Sequence, residues 1–252
     1  MKGILTYHSI DDSGSVVSTS TSQLGRQIEA LKSRGVRIVP LTTLHMIPRD
    51  VHAVALTFDD GFANFASAAA PVLLAHAAPA TVFVIPSCVG GSNDWEDRDS
   101  RVAVPQLDLM GWAEIAQVRL QGFHIGGHSN THRSLRGLDP AALESEVSLA
   151  AASIKEHVGA DPVAFAFPYG DYDDEAIKAV ARVYSFACTT EFGLLSESDS
   201  PHLLPRLDAY YFRGGQMLAR WGTAEFWTYV TGRRLARSFA NVVRNAARGF
   251  KA

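Results

Sequence analysis

Val51-His52-Ala53-Val54-Ala55-Leu56-Thr57-Phe58-Asp59-Asp60-Gly61 is an apolar run that stops abruptly on two carboxylates and a glycine. A short, continuously apolar run reads as a strand buried on both faces, the kind found in parallel sheets. Similar runs recur along the chain. Gly3–His8, Val36–Pro40, Val51–Phe58, Ala80–Ile85, Phe123–Gly126, Val163–Phe167, Ser185–Thr189 and Leu203–Tyr211 read as extended. Between them Ser22–Arg34, Asn64–Ala77, Gly111–Gln121, Pro140–His157 and Asp173–Val183 read as helices. This succession of short β/α units predicts a parallel sheet covered by helices, with seven or eight units closed or partly closed into a barrel. No G-x-G-x-x-G follows the first strand, which removes the dinucleotide-binding version of the architecture. In a barrel, chemistry gathers where strands end, and the polar clusters fall at those positions.

With 252 residues, 47% of them hydrophobic, the chain can bury a large single core and is too apolar to be disordered. Charge is uneven. From Arg213 onward eight lysines and arginines face one acid, Glu225, whereas the first 212 residues carry a net charge of −10. The chain therefore divides into a body, 1–212, and a basic extension, 213–252. The extension reads as a short helix, Thr223–Thr231, a break at Gly232, and an amphipathic helix from Arg233 to Arg248 with Leu235, Phe239, Val242, Val243 and Ala246 on one face. It either packs on the acidic body or meets an anionic membrane surface or a partner. The acidic body excludes nucleic acid. Cys88 and Cys188 lack metal-site spacing and read as buried free thiols. The run Met1–His8 is too short for a signal peptide, and a chain complete as read is expected in the cytoplasm, either free or peripheral at the inner membrane face.

Three stretches carry chemistry. In Thr57-Phe58-Asp59-Asp60-Gly61-Phe62 one carboxylate can hold a cation while its neighbour stays free as a base; the same residues also make an ordinary strand-to-loop turn. In His128-Ser129-Asn130-Thr131-His132, histidines at i and i+4 on one helical turn would face one ion. Two histidines and a carboxylate form a facial triad with open positions. In Phe165-Ala166-Phe167-Pro168-Tyr169-Gly170 a rigid turn after a strand can offer a backbone N–H to a developing oxyanion.

Together, in this order, the three stretches resemble the motifs of the polysaccharide deacetylase family, the NodB-homology carbohydrate esterases. T-F-D-D-G and H-(S/T)-x-x-H are matched without substitution at Thr57–Gly61 and His128–His132, and the resemblance covers residues 2 to 210. It implies an α/β fold, a distorted (β/α)7 TIM-like barrel, and removal of N-acetyl groups from an amino-sugar saccharide. It assigns Asp59 as general base, and Asp60, His128 and His132 as ligands of one divalent metal. Zinc fits that set best, with cobalt, nickel, manganese or iron also able to occupy it. It also assigns the Tyr169 N–H, after Pro168, to the oxyanion hole. Tyr7-His8 resembles the start of members associated with exopolysaccharide synthesis.

The family's third motif carries an arginine that pairs with the base, and here that position is Ala166. Arg206 could supply the guanidinium from another strand, with Asp208 positioning it. The family's L-x-H motif, whose histidine is the general acid, is absent after Tyr169. His8 is the nearest alternative, or water takes the role. Trp95, in the polar loop Cys88–Arg101, could stack on a sugar; Tyr210, Tyr211 and Phe212 read as packing residues. Two other functions remain open: a C–N hydrolase acting on a small amide or imide, and a non-catalytic sugar-binding or scaffold relative. The expected partners are an N-acetylated saccharide and, through the basic extension, a membrane surface or a lipid-linked substrate.

Overall fold

The computed structural model describes residues 1–95 and 104–249, with side chains as far as residue 237. Seven parallel strands close a ring: β1 (Lys2–Tyr7), β2 (Ala53–Phe58), β3 (Ala80–Val84), β4 (His124–Gly127), β5 (Ala164–Ala166), β6 (Phe186–Phe192) and β7 (Leu204–Asp208). β1 pairs with β2 along its whole length, from Lys2↔Ala53 to Tyr7↔Phe58, and with β7 at Leu5↔Leu207, which completes the barrel. The expected Val36–Pro40 strand is only the spur Arg37–Ile38 against the start of β2, so it is not a stave. The barrel is distorted where β4 meets β5 at the single pair Gly127↔Phe165, and where β7 slips against β6 between Leu204 and Arg206.

Strand alternation sorts the side chains. On β2, Val54, Leu56 and Phe58 face outward into the main core under the helices, joined there by Leu5, Tyr7, Val82 and Val84. Ala53 and Ala55 face inward with Ile4, Phe83, Ala164, Ala166 and Cys188, and Leu41 and Leu44 plug the lower end. Above Ala53, Ala55 and Ile4 come the buried threonines Thr6 and Thr57, while Thr81 lies beneath Phe83 on β3. Continuing the same parity beyond β2 turns Asp59 toward the barrel axis. The interior is thus small and dry below, polar above.

β4 owes its place to two glycines. A Cβ on Gly126 would lie 2.6 Å from both the Ala164 carbonyl oxygen and the Phe83 ring, and one on Gly127 would lie 2.3 Å from the Tyr184 hydroxyl. Only glycine lets β4 come so close to its neighbours, and the strand delivers His128 directly.

The extension differs from expectation. Ala224–Gly249 is one continuous helix through Gly232, anchored by buried Phe226 and Val230 and capped by Thr223, whose Oγ1 accepts the Phe226 N–H at 3.2 Å. A glycine inside a helix costs about 1 kcal/mol, which the anchoring outweighs. The side chains of Phe239, Val242, Val243 and Ala246 lie outside the described residues, and Leu235 is exposed. No helix among the described residues is long and apolar enough to cross a membrane. Pro71 sits in a helical run that opens with a π turn, Phe65–Ala69. Both cysteines are free, Cys188 buried and Cys88 half-buried.

Candidate metal centre and active site

The upper mouth of the barrel holds a cavity of about 230 Å³ lined by His8, Asp59, Asp60, His128, His132 and Trp95 among others. A cavity of about 450 Å³ opens at the opposite end, between Leu41, Leu44, Phe186 and Leu204, and contains none of the motif residues.

Asp60 leaves β2 with a φ of 70°, which swings its carboxylate away from that of Asp59. Ser129, His132 and Tyr169 are also left-handed, at 57°, 61° and 59°. Four of the five non-glycine residues with positive φ among the described residues thus lie in the three motifs. Each costs on the order of 1–3 kcal/mol and is held by its surroundings, a pattern typical of functional sites. The two histidines therefore do not share a helical turn, as their spacing suggested. They flank a loop that reverses twice through left-handed residues, because the extended β4 and its glycines run directly into His128.

Asp60 Oδ1 lies 3.3 Å from His128 Nε2 and 3.3 Å from His132 Nε2. The three ligand atoms lie within 4.8 Å of one another, and all three residues are buried. The other ring nitrogens are engaged elsewhere. His128 Nδ1 is 2.7 Å from the Ala166 carbonyl, which can only accept, so Nδ1 carries the proton and Nε2 presents its lone pair. His132 Nδ1 is 3.0 Å from the Tyr169 hydroxyl. Asp60 Oδ1 is itself a buried oxygen with no hydrogen-bond donor. A buried carboxylate oxygen with no hydrogen-bond donor, 3.3 Å from the Nε2 atoms of two histidines, is the environment a divalent cation completes. Burial pushes the Asp60 carboxyl up, but the adjacent His128 and His132 pull it well below the carboxylate range. Burial also holds His132 below its ordinary value, whereas Asp60 and Asp59 overcome burial at His128 and raise it.

Asp59 meets Arg206 in a buried bidentate pair, Nη1 to Oδ1 at 2.7 Å and Nη2 to Oδ2 at 2.7 Å. Arg206 Nε donates to the Thr189 carbonyl at 2.9 Å, and Nη1 also reaches Thr57 Oγ1 at 3.3 Å. Burial raises the Asp59 carboxyl, and the charge and hydrogen bonds of Arg206 outweigh it, leaving Asp59 below its ordinary value. The slip between β6 and β7 falls at Arg206 and brings its guanidinium across from a strand far from the third motif. His8 Nε2 stands 3.9 Å from Asp59 Oδ2, and its side chain is 30% exposed toward the opening.

Asp208, expected to position Arg206, makes no hydrogen bond to it. Its Oδ1 accepts the Tyr210 N–H at 3.0 Å, and its Oδ2 faces Arg237 at 3.7 Å, because the strand ends there and turns into Ala209–Phe212. Tyr210, Tyr211 and Phe212 are not among the cavity's lining residues. Trp95 is in the site, its ring centroid 4.1 Å from that of His132. Buried Asn93 pins this loop, donating to the Pro105 carbonyl at 2.9 Å and accepting the Leu107 N–H at 2.8 Å. Residues 96–101 of the polar loop Cys88–Arg101 lie outside the described residues. Pro168 is buried at the start of the Pro168–Gly170 turn, and Tyr169 is 42% exposed at the mouth.

Two supporting residues escaped the sequence reading. Glu146, buried in a π turn (Glu144–Leu149) of the helical run 140–158, accepts the N–H groups of Asn130 and Thr131 at 2.9 and 3.0 Å and the Thr131 hydroxyl at 2.8 Å. It fastens the chain between the two histidines. Asp171 accepts from Ser134 at 2.7 Å and Arg136 at 2.6 Å, tying the second motif's loop to the third. Glu146 did leave a signal, a carboxylate inside the apolar stripe of a predicted helix.

Comparison with known proteins agrees with this geometry. The family model described as polysaccharide deacetylase matches residues 47–184. YxkH of Bacillus subtilis (strain 168), provisionally named a polysaccharide deacetylase, is 26% identical over 210 residues, 81% of this chain and 70% of its own. The poly-β-1,6-N-acetyl-D-glucosamine N-deacetylase of Escherichia coli (strain K12) is 24% identical over 231 residues, 77% of this chain but 34% of its own, so this chain spans about a third of that relative. Among solved structures, IcaB from Ammonifex degensii superposes with a TM-score of 0.72 at 22% identity, covering 86% of this chain and 97% of IcaB. That likeness establishes the (β/α)7 fold.

Proposed function

The chain belongs to the polysaccharide deacetylase family, and from that premise we propose that it is a divalent-metal hydrolase that removes N-acetyl groups from an amino-sugar saccharide. The observation that carries the reading is the convergence of Asp60 Oδ1 with the two Nε2 atoms of His128 and His132, beside an ionised Asp59. Asp60, His128 and His132 would hold the ion, and a two-histidine, one-carboxylate set suits zinc. Once bound, a divalent ion supplies Lewis acidity, polarising the acetamide carbonyl and acidifying water.

The chain's own residues do the rest. Asp59 takes a proton from the water whose oxygen attacks the acetyl carbon. Arg206 occupies one acceptor position on each carboxylate oxygen, fixing the plane of Asp59 and leaving a position on each oxygen for that water. The Tyr169 N–H, in its left-handed turn after Pro168, donates to the carbonyl oxygen as it gains charge. When the C–N bond breaks, His8 gives its proton to the leaving nitrogen. Its supporting observations are its position 3.9 Å from Asp59 and its exposure toward the opening. The products are acetate and a free amine. Trp95 would hold one face of the sugar by stacking. The E. coli relative's name supports an N-acetylated saccharide over the small-amide alternative.

The test is acetate release from N-acetylated chitooligosaccharides and from β-1,6-linked N-acetylglucosamine oligomers by zinc- or cobalt-supplemented protein. Equimolar acetate and new amine, abolished by Asp59→Asn, is the expected result. Hydrolysis of small amides or imides with none of the sugars would overturn the substrate class. No hydrolysis of either, in protein that holds metal, would favour a sugar-binding or scaffold relative.

A further inference from the structure

Beside the central cavity lies a second hollow of about 200 Å³, bounded by Gly170, Tyr172 and Glu191 on one side and Arg234 and Arg237 on the other. The two spaces are neighbours. Thr190 lines both, and its hydroxyl donates to the Tyr169 carbonyl at 3.3 Å. Tyr169 faces the central cavity, and the next residue, Gly170, faces the hollow. The central cavity and the hollow that holds these arginines thus adjoin at Thr190.

The arginines are set rather than loose. They stand three residues apart on the Ala224–Gly249 helix, hence on one face of it. The stem of Arg234 lies over Gly193, its Cδ 3.9 Å from where a Cβ would stand there. Its guanidinium makes no hydrogen bond or ion pair with any described residue. Arg237 sits over the rings of Phe192 and Tyr211, 5.7 Å from each centroid, and its Nη1 lies 3.4 Å from the Tyr211 hydroxyl. Its contact with Asp208 is long, 3.7 Å. Aromatic backing orients a guanidinium without neutralising it. Among the described residues the hollow sets one carboxylate, Glu191, against the two cations, and with Asp208 beside Arg237 the unpaired cation is Arg234.

We infer that this hollow is a subsite for a phosphate group carried by the substrate, so that the substrate is an N-acetylated sugar bearing a phosphate or diphosphate rather than a neutral saccharide. The inference rests on the reading of the central cavity as the site for an N-acetylated sugar. Soluble nucleotide sugars and lipid-linked saccharides share this chemistry.

The test compares equilibrium binding of N-acetylglucosamine 1-phosphate, UDP-N-acetylglucosamine and the uncharged methyl glycoside of N-acetylglucosamine by ligand-observed NMR, which needs no turnover. The proteins are the full chain, Arg234→Gln/Arg237→Gln, and Glu191→Gln. At low ionic strength wild type should bind the phosphorylated sugars about tenfold more tightly than the methyl glycoside, the scale of one or two charge-assisted hydrogen bonds. The gap should narrow with added salt, close in the double arginine variant and widen in Glu191→Gln. A gap under about twofold in wild type, or one that survives loss of both arginines, overturns the inference. Flotation with vesicles containing anionic phospholipid separates the sources. Arginine-dependent vesicle binding without a gap between the soluble sugars assigns the arginines to a membrane surface and also overturns it. Because binding is read without hydrolysis, a protein that shows the gap yet releases no acetate would count against the proposed reaction and not against the subsite.

Discussion

Replacing Arg206 with methionine removes both hydrogen bonds to Asp59 and the charge opposite it, while leaving that carboxylate buried. Breaking a buried pair from one side costs about 3–5 kcal/mol. For a chain of this size that is a fall in Tm of roughly 6–20 °C, at 2–4 °C for each kcal/mol. The loss should depend on pH in a definite direction. In wild type, Arg206 holds the Asp59 carboxyl below its unfolded value, so the ionised pair contributes stability above the carboxylate range and loses it as pH falls. In the variant, burial alone acts on Asp59 and raises its pKa, so the penalty is greatest at neutral pH and is relieved as the carboxyl protonates. The stability gap should therefore be widest near pH 7 and shrink as the pH approaches about 4. Urea unfolding across that range, with a chelator present so that metal binding adds nothing, measures it. Arg206→Met/Asp59→Asn should recover most of the loss, giving a coupling energy above about 2 kcal/mol in the double-mutant cycle. A variant as stable as wild type, or a gap indifferent to pH, would refute the reasoning.

Glu146→Ala removes three accepted hydrogen bonds from a loop whose donors can partly recruit water, an expected loss of about 2–4 kcal/mol, with Glu146→Gln losing less because one oxygen can still serve both N–H groups. Zinc affinity by chelator competition should fall about 10–100-fold in the alanine variant, and unchanged affinity would show that the loop holds its shape without it. Gly127→Ala places a methyl against the Tyr184 hydroxyl and should cost about 1–3 kcal/mol in urea unfolding while weakening zinc binding through His128; a silent substitution would contradict the packing of β4. Burial pushes the Cys188 thiol up to about 12, and Cys88 is raised as well, so neither should react quickly with a thiol reagent at pH 8 in the native protein. Both should titrate on unfolding, and rapid native labelling of Cys188 would contradict its burial.

The barrel was legible because its strands are short apolar runs and its helices carry apolar stripes. The inward set Ala53, Ala55, Thr57 and Asp59 follows from strand alternation alone, whereas Asp60 reaches the same cavity only through its left-handed backbone. The spacing of the histidines was visible, yet their backbone was not. An i, i+4 pair fits a helical turn, and only the strand entering through Gly126 and Gly127 shows that the chain must instead reverse through left-handed residues. Arg206 could be named as a candidate, but its approach to Asp59 depends on a slip in strand register that leaves no mark on composition. Asp208 misled for a related reason: alternation put it on the face of Arg206, whereas the strand ends on it and it caps the turn that follows. Gly232 reads as a break because local propensity cannot weigh the anchoring of Phe226 and Val230.

The proposed chemistry depends on Asp60, His128 and His132 forming a metal site. Metal content per chain, measured by plasma mass spectrometry on protein purified without chelators or a metal-binding tag, tests it most directly, with Asp60→Ala and His128→Ala prepared alongside. Close to one transition-metal ion per wild-type chain is expected, with none retained by either variant. Wild-type protein that holds no ion after incubation with zinc, cobalt or manganese would contradict it.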